Sequence, residues 1–234
     1  MANLDGRTAL ITGGSKGIGY GIAEALVREG MHVVITARNE EEVTAAAEQL
    51  GGMGAGRALG VPCDVRDLGQ QQAVAERMLS EFGSIDVVIA NAGVGGYAPV
   101  DEMTPEMWNS IIETNLTGVF NTVHATVGAL KKSEGYLITI ASLAGGSAYN
   151  ASKFGLVGFT QAAMLDLRRH RIKVSTIMPG SVSTWFNDSE PSSEEAWKIQ
   201  PEDIGEMVVY LLKVPARTLP SKIEVRPSVP PSAT

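Results

Sequence analysis

Thr8-Ala-Leu-Ile-Thr-Gly-Gly-Ser-Lys-Gly-Ile-Gly19 is the stretch whose reading decides the fold. A short apolar run, residues 9–11, ends in a glycine cluster and passes into an amphipathic stretch over 18–29. That is the pattern of a buried strand, a tight turn and a helix. In such a turn glycines let the backbone approach a pyrophosphate, and the helix N-terminus offers it unpaired N–H groups. Gly13, Ser15, Lys16, Gly17, Ile18 and Gly19 are therefore candidate phosphate-binding residues. Taken alone, the same letters also describe an ordinary strand-to-helix turn.

Outward from this turn, apolar runs alternate with helical patterns almost to the end of the chain. Strands are predicted at 32–36, 59–63, 87–90, 137–140 and 174–178, with a short seventh at 223–225. Helices are predicted at 40–50 and 68–82, from Thr104-Pro105-Glu106 onward, along the apolar run 108–125, and at 149–169. Such alternation implies one α/β domain over 1–234: a doubly wound Rossmann fold with a parallel sheet of about seven strands, flanked by helices. Residues 181–199 read as a substrate lid and 226–234 as a Pro/Ser-rich tail that frays.

Composition narrows the function classes. Acids outnumber bases 26 to 19, giving a net charge of −7, which argues against a nucleic-acid partner. No run of about 18 apolar residues marks a membrane span, and residues 1–5 lack a signal-peptide pattern. A single cysteine, Cys63, fits a reducing cytoplasm and reads as a buried small hydrophobe. His32, His124 and His170 have no ligand spacing, so no metal site is expected.

Ligands in a parallel sheet sit beyond the carboxyl ends of the strands, so the residues there are the ones to examine. After the second strand comes Ala37-Arg38, where a carboxylate would hold the 2′-hydroxyl of NAD. Alanine there, with Arg38 and Lys16 nearby, fits a 2′-phosphate, so NADP(H) is the preferred cofactor and NAD(H) the possible one. Asp64-Val65 follows the third strand, where a carboxylate suits the adenine amino group and equally suits a turn cap. Asn91-Ala92-Gly93 follows the fourth, and its small residues suit a backbone passing close to a ribose. Asn115 is an amide within an apolar helical run, and a buried amide needs partners.

Tyr149 and Lys153 lie four apart on a predicted helix, so they share a face about 6 Å apart along its axis. A phenol of pKa near 10 needs a drop of roughly 3 to exchange protons at neutrality, about 4 kcal/mol. A neighbouring ammonium favours the phenolate and so predicts a lowered tyrosine. Ser142, after the fifth strand, places a hydroxyl where a substrate carbonyl can be held.

In combination, Thr12 to Gly19, Asn91-Ala92-Gly93, Tyr149-x-x-x-Lys153 and Pro179-Gly180 resemble the short-chain dehydrogenase/reductase family over most of the chain. The resemblance implies strand order 3-2-1-4-5-6-7 and hydride transfer between nicotinamide C4 and the carbon of a carbonyl or secondary alcohol. It implies Tyr149 as acid/base and Lys153 tuning it while holding the nicotinamide ribose. Ser142 would orient substrate, and Asn115 would anchor a proton-relay water. The loop of Pro179, Gly180, Val182 and Thr184 would close over the nicotinamide. Substrates implied are small ketones, diketones or groups of the type that 3-oxoacyl-(acyl carrier protein) reductase-like members reduce. A homodimer or homotetramer is implied. The rival reading is a cofactor-binding sensor or scaffold with little or no turnover.

Three features depart from the family pattern. Ala90 stands where a further asparagine is usual. Only six residues separate Ser142 from Tyr149, a distinctly short link. Either the loop is short or a segment of chain is absent there, and the second is the expectation adopted, because loops bordering a cleft are often mobile. The C-terminal stretch from Pro220 lacks a glycine-rich interface strand, so a dimer is at least as well supported as a tetramer.

Overall fold

The computed structural model describes residues 3–143, 145–186 and 189–230. Its sheet has seven parallel strands in the order β3-β2-β1-β4-β5-β6-β7. These are β1 (Thr8–Thr12), β2 (His32–Ala37), β3 (Ala58–Pro62), β4 (Val87–Ala90), β5 (Tyr136–Ile140), β6 (Lys173–Pro179) and β7 (Lys222–Val225). The helices are α1 (Gly17–Arg28), α2 (Glu40–Gly51), α3 (Leu68–Phe82), α4 (Pro105–Ile112), α5 (Gly118–Ser133), α6 (Ser147–Leu167) and α7 (Pro201–Lys213). All six expected strands after β1 are present, and the order matches the one the resemblance implied.

β1, β4 and β5 are buried along their whole length, because a parallel sheet is covered on both faces. One face packs Ala9, Ile11, Val33 and Ile35 against α1, α2 and α7. The other packs Leu10, Val34, Val88 and Leu137 against α3, α5 and α6. Chain order reverses between β1 and β4, which leaves a crevice at their carboxyl ends.

Two elements differ from the sequence reading. The run 108–125 is not one helix: α4 and α5 are separated by a π turn, Glu113–Thr117, that carries Asn115. Helix α7 was not predicted. It begins on Pro201 with a capping box between Gln200 and Asp203, and it buries Ile204, Val208, Leu211 and Leu212. A methyl on Gly21 would meet Pro201, and one on Gly205 would meet the Gly21 carbonyl, so α1 and α7 approach almost backbone to backbone. The tail expected from 226 is described to 230, and the remainder lies outside the described residues.

Candidate active site

The glycine turn is built as its letters require. Gly13 has φ +66°, in the left-handed region that favours glycine. Asn91 braces the turn from β4: its Nδ2 donates to the carbonyls of Thr12 (2.9 Å) and Gly13 (3.0 Å). The Thr12 hydroxyl in turn accepts from the N–H groups of Asn91 and Ala92, each at 3.1 Å. Asn91 therefore holds the turn in shape, a role beyond close passage of a ribose.

α2, α3 and α4 have their N-termini capped by the side chains of Asn39, Asp67 and Thr104. α1 has no such cap and no acidic residue in its first turn. Its leading N–H groups, in Gly17, Ile18 and Gly19, open on the switch-point crevice, a ready site for a pyrophosphate. Gly17 also lies under the loop after β6, where its Cβ would come 3.4 Å from Thr184 Cγ2. Thr184 thus sits over the turn, while Gly180 N–H is held by the Val225 carbonyl at 2.8 Å. The segment 181–199 is pinched near its ends by a bridge between Val182 and Ile199. Asn187 and Asp188 within it lie outside the described residues.

At the ribose end, the predicted cations differ. Lys16 is mostly exposed and sits 3.9 Å from the Glu42 carboxylate. Among the described residues no carboxylate lies within ion-pair distance of Arg38, although the Asp64 carboxylate is close enough to feel its charge. Asp64 is not free: the Arg66 guanidinium grips both of its oxygens. Its carboxyl is held below the ordinary range, chiefly by those hydrogen bonds. Val65 is buried beside Gly118, and its carbonyl accepts from Asn121 Nδ2 at 3.1 Å. Cys63 is buried, and burial first, then Asp64 and Asp67, pushes its thiol up to about 11, which leaves it unreactive.

The catalytic candidates converge. Asn115 is fully buried in the π turn, a deformation common at functional sites. Its Oδ1 accepts from Val94 N–H (2.8 Å), and its Nδ2 donates to the Val94 carbonyl (2.9 Å) and to Ser152 Oγ (3.0 Å). The side chain is thus spent on clamping the β4 loop to α6, so it positions the site, and any water anchored there must use another group. Ser152 was missed by the sequence reading. Its hydroxyl donates to the Tyr149 carbonyl at 2.7 Å and so links Asn115 to the tyrosine's own backbone. A small polar residue on the buried face of an otherwise apolar helix is the signal that could have found it.

Lys153 is buried, and its Nζ donates to the Ile140 carbonyl at 2.9 Å and lies 5.6 Å from the Tyr149 ring centroid. Burial alone brings its ammonium down to about 8. A Cβ on Gly93 would sit 3.4 Å from Lys153 Nζ and 3.2 Å from Asn115 Oδ1, so glycine keeps that space open beside the amine. Tyr149 departs from expectation. Burial pushes its phenol up, and the side-chain hydrogen bond with Ser142 offsets only part of that. The ring is covered by Phe186, with centroids 5.6 Å apart, and by Gly145, whose Cβ would fall 2.9 Å from Cε1. Lys153 at i+4 is visible in the sequence, whereas these covering residues are not.

β5 ends at Ile140, α6 begins at Ser147, and Ser142 still reaches the Tyr149 hydroxyl. Gly145 lies directly against the tyrosine ring.

Comparison with known proteins agrees with this geometry. A family model described as short chain dehydrogenase matches residues 7–195. The 3-oxoacyl-[acyl-carrier-protein] reductase FabG of Escherichia coli (strain K12) is 38% identical over 189 residues, covering 78% of this chain and 76% of that protein. A metagenomic short-chain oxidoreductase solved in complex with NADP superposes with a TM-score of 0.85 at 34% identity, over 97% of this chain and 100% of its own. An alcohol dehydrogenase from the archaeon Thermococcus sibiricus, complexed with 5-hydroxy-NADP, gives a TM-score of 0.89 at 28% identity, over 95% and 97% of the two chains.

Proposed function

Because the chain belongs to the short-chain dehydrogenase family, a family of oxidoreductases, we propose that it is an NADP(H)-dependent reductase of small carbonyl compounds: ketones, diketones or 3-oxoacyl groups. The observation that carries this reading is the meeting of Ser142, Tyr149 and Lys153 beyond the carboxyl end of β5, in a chain whose α1 N-terminus has no side-chain cap. Gly13 to Gly19 would hold the pyrophosphate, Arg38 and Lys16 the 2′-phosphate, and Lys153 the nicotinamide ribose. The loop from Pro179 to Thr184 would cover the nicotinamide. When bound, the nicotinamide supplies or takes the hydride.

The chain's own residues do the rest. Ser142 hydrogen-bonds the carbonyl oxygen as negative charge develops on it. Tyr149, kept protonated by burial, donates its phenolic proton to that oxygen, which favours the reductive direction. Lys153 in its charged form stabilises the phenolate left behind. Asn115 and Ser152 fix the backbone of the tyrosine turn. We read residues 1–234 as one unit with a lid at 181–199, working in the cytoplasm as a homodimer or homotetramer. The cover of Phe186 and Gly145 over Tyr149 favours the sensor reading to one degree: a lid that does not open would bind cofactor without turnover.

Absorbance of NADPH, followed with a panel of small ketones, diketones and 3-oxoacyl thioesters, is the test. Sustained consumption is the expected result, and tight NADPH binding without consumption of any substrate would establish the sensor. In the same assay Arg38→Ala should weaken NADPH roughly 10- to 100-fold and leave NADH nearly unchanged, since a lost charge-assisted bond acts only on the 2′-phosphate. Equal effects on the two cofactors would remove Arg38 from that role.

The pH profile follows from Lys153. With its ammonium at about 8, carbonyl reduction should hold up to neutrality and fall as pH rises through about 8, while Tyr149 remains protonated. Stability moves the other way. A lysine lowered from 10.5 to about 8 disfavours the folded state fully below about 8, and the penalty fades as pH rises toward 10.5. Lys153→Met should therefore be inactive yet unfold at a higher temperature than wild type at pH 7, with the gap closing by pH 10. Thermal unfolding at both pH values checks it, and a variant less stable than wild type at pH 7 would contradict it.

A further inference from the structure

The loop after β6 is fastened at its start. Ser183 N–H donates to the Ile199 carbonyl at 2.9 Å, and Ile199 N–H donates to the Ser181 carbonyl at 3.1 Å. Ile199 is itself buried in the core shared with α1 and α7, so this point is fixed. One residue on, Thr184 comes close to Gly17, and two further on the Phe186 ring lies 5.6 Å from that of Tyr149. The placement of both therefore depends on how Ser183 is held.

Glu195 holds it from the side. The buried Ser183 Oγ donates to Glu195 Oε2 at 2.8 Å, and the Lys198 ammonium donates to Oε1. These bonds, that of Lys198 first, keep the Glu195 carboxyl below its ordinary range, so it is an acceptor at neutral pH. A carboxylate binds a hydroxyl about twice as strongly as a neutral acceptor does. The backbone of Glu195 is anchored as well. It closes the short turn Ser193–Glu195, and its carbonyl accepts from Lys198 N–H at 2.8 Å. Gln200 Nε2 donates to the Lys198 carbonyl at 2.9 Å, and Gln200 N–H donates to Asp203 Oδ2 at 2.8 Å in the first turn of α7. The carboxylate that holds Ser183 is thus tied to the start of a packed helix.

We propose that Glu195 is a positioning residue for the nicotinamide end of the cofactor: through its bond to Ser183 it sets where Thr184 stands over the glycine turn. This rests on the reading of the site as a dinucleotide site whose nicotinamide lies under the loop from Pro179 to Thr184. Glu195 acts at one remove, and Ser183 is the link through which it acts.

Calorimetric titration of the full chain tests it with two probes: NADPH, and adenosine 2′,5′-bisphosphate, which carries the 2′-phosphate and no nicotinamide. Wild type should bind NADPH the more tightly of the two. Glu195→Ala and Ser183→Ala should each weaken NADPH about 10-fold, the loss of one charge-assisted hydrogen bond. The double variant should lose no more, since the two side chains act as one unit. All three variants should bind the bisphosphate as wild type does. Glu195→Gln keeps an acceptor for the Ser183 hydroxyl and should stay within about 3-fold of wild type for NADPH. Glu195→Ala that binds NADPH as tightly as wild type, or that weakens both probes alike, would overturn the proposal, the second result making Glu195 a support of the fold only. Ser183→Ala removes the same bond from its buried side, and retained bisphosphate binding reports a folded site, so a misfolded Glu195 variant does not hide the answer. Wild type that binds NADPH no more tightly than the bisphosphate would defeat the reading of the loop as a nicotinamide cover. Wild type that binds neither would defeat the dinucleotide reading, and each result takes this inference with it.

Discussion

Tyr149→Phe should lower the turnover of carbonyl reduction by roughly a thousandfold, within the 10²–10⁴ range of a positioned general acid, while NADPH affinity and folding stay close to wild type. The phenyl ring keeps every packing contact of the tyrosine: the Phe186 ring at 5.6 Å, the Gly145 backbone and the Lys153 ammonium over its face. Only the hydroxyl goes, together with its bond to Ser142. That bond is worth about 1 kcal/mol in stability, too little to unfold the chain. The rate loss would therefore report proton donation. Stopped-flow NADPH oxidation for the rate and fluorescence titration for the affinity separate the two effects. A variant with wild-type turnover would remove Tyr149 from the chemistry; one that lost affinity in proportion to rate would make it a binding residue.

What makes this variant informative is the direction in which the structure moves the phenol. The spacing of Tyr149 and Lys153 predicted a lowered pKa, because a helix brings i and i+4 together and sequence shows the pair directly. Burial by Phe186 and Gly145 comes from a loop about 40 residues on and from the link before α6, and no local pattern announces it. The strands were legible for the opposite reason. β1, β4 and β5 are apolar runs because both faces of a parallel sheet are covered, so composition marks them, whereas the edge strand β7 alternates. The crevice residues were legible once strand ends were fixed, since topology puts them there.

Misses in the helical layer have equally specific causes. A π turn shifts the hydrogen bond by one residue without any change of residue type, so Thr114-Asn-Leu reads as plain helix. The clamp that Asn115 makes on Val94 and Ser152 was hidden with it. Helix α7 did carry a signal, in Pro201 at its start and Gln200 with Asp203 as a capping box. Gly205 interrupts its pattern, and the reason for that glycine lies in α1: its Cβ would press on the Gly21 carbonyl. The partner of Asp64 is only two residues away in sequence, yet a carboxylate between flexible neighbours does not declare which donor it takes.

Gly19→Ala should be the most damaging single methyl in the turn, destabilising the fold by about 3 kcal/mol or more, the upper end for overpacking, and removing NADPH binding. The added carbon would press on the Gly13 carbonyl, with Asn91 Nδ2 2.6 Å and the Gly13 carbonyl carbon 2.9 Å away. None of these atoms can yield. The Gly13 backbone is braced by Asn91, and Asn91 is held by its bonds to Thr12 and Gly13 at 2.9 and 3.0 Å. The strain must move the turn against the first N–H groups of α1, which are the groups offered to the pyrophosphate, so stability and binding fail together. Gly158→Ala in α6 is the control. Its Cβ would meet nothing within 4 Å, so it should gain roughly 0.5–1 kcal/mol from helix propensity. Thermal unfolding with and without NADPH reads both variants. Gly19→Ala with a wild-type midpoint and a wild-type shift on adding NADPH would mean that the close approach of α1 to β1 is not what builds the site.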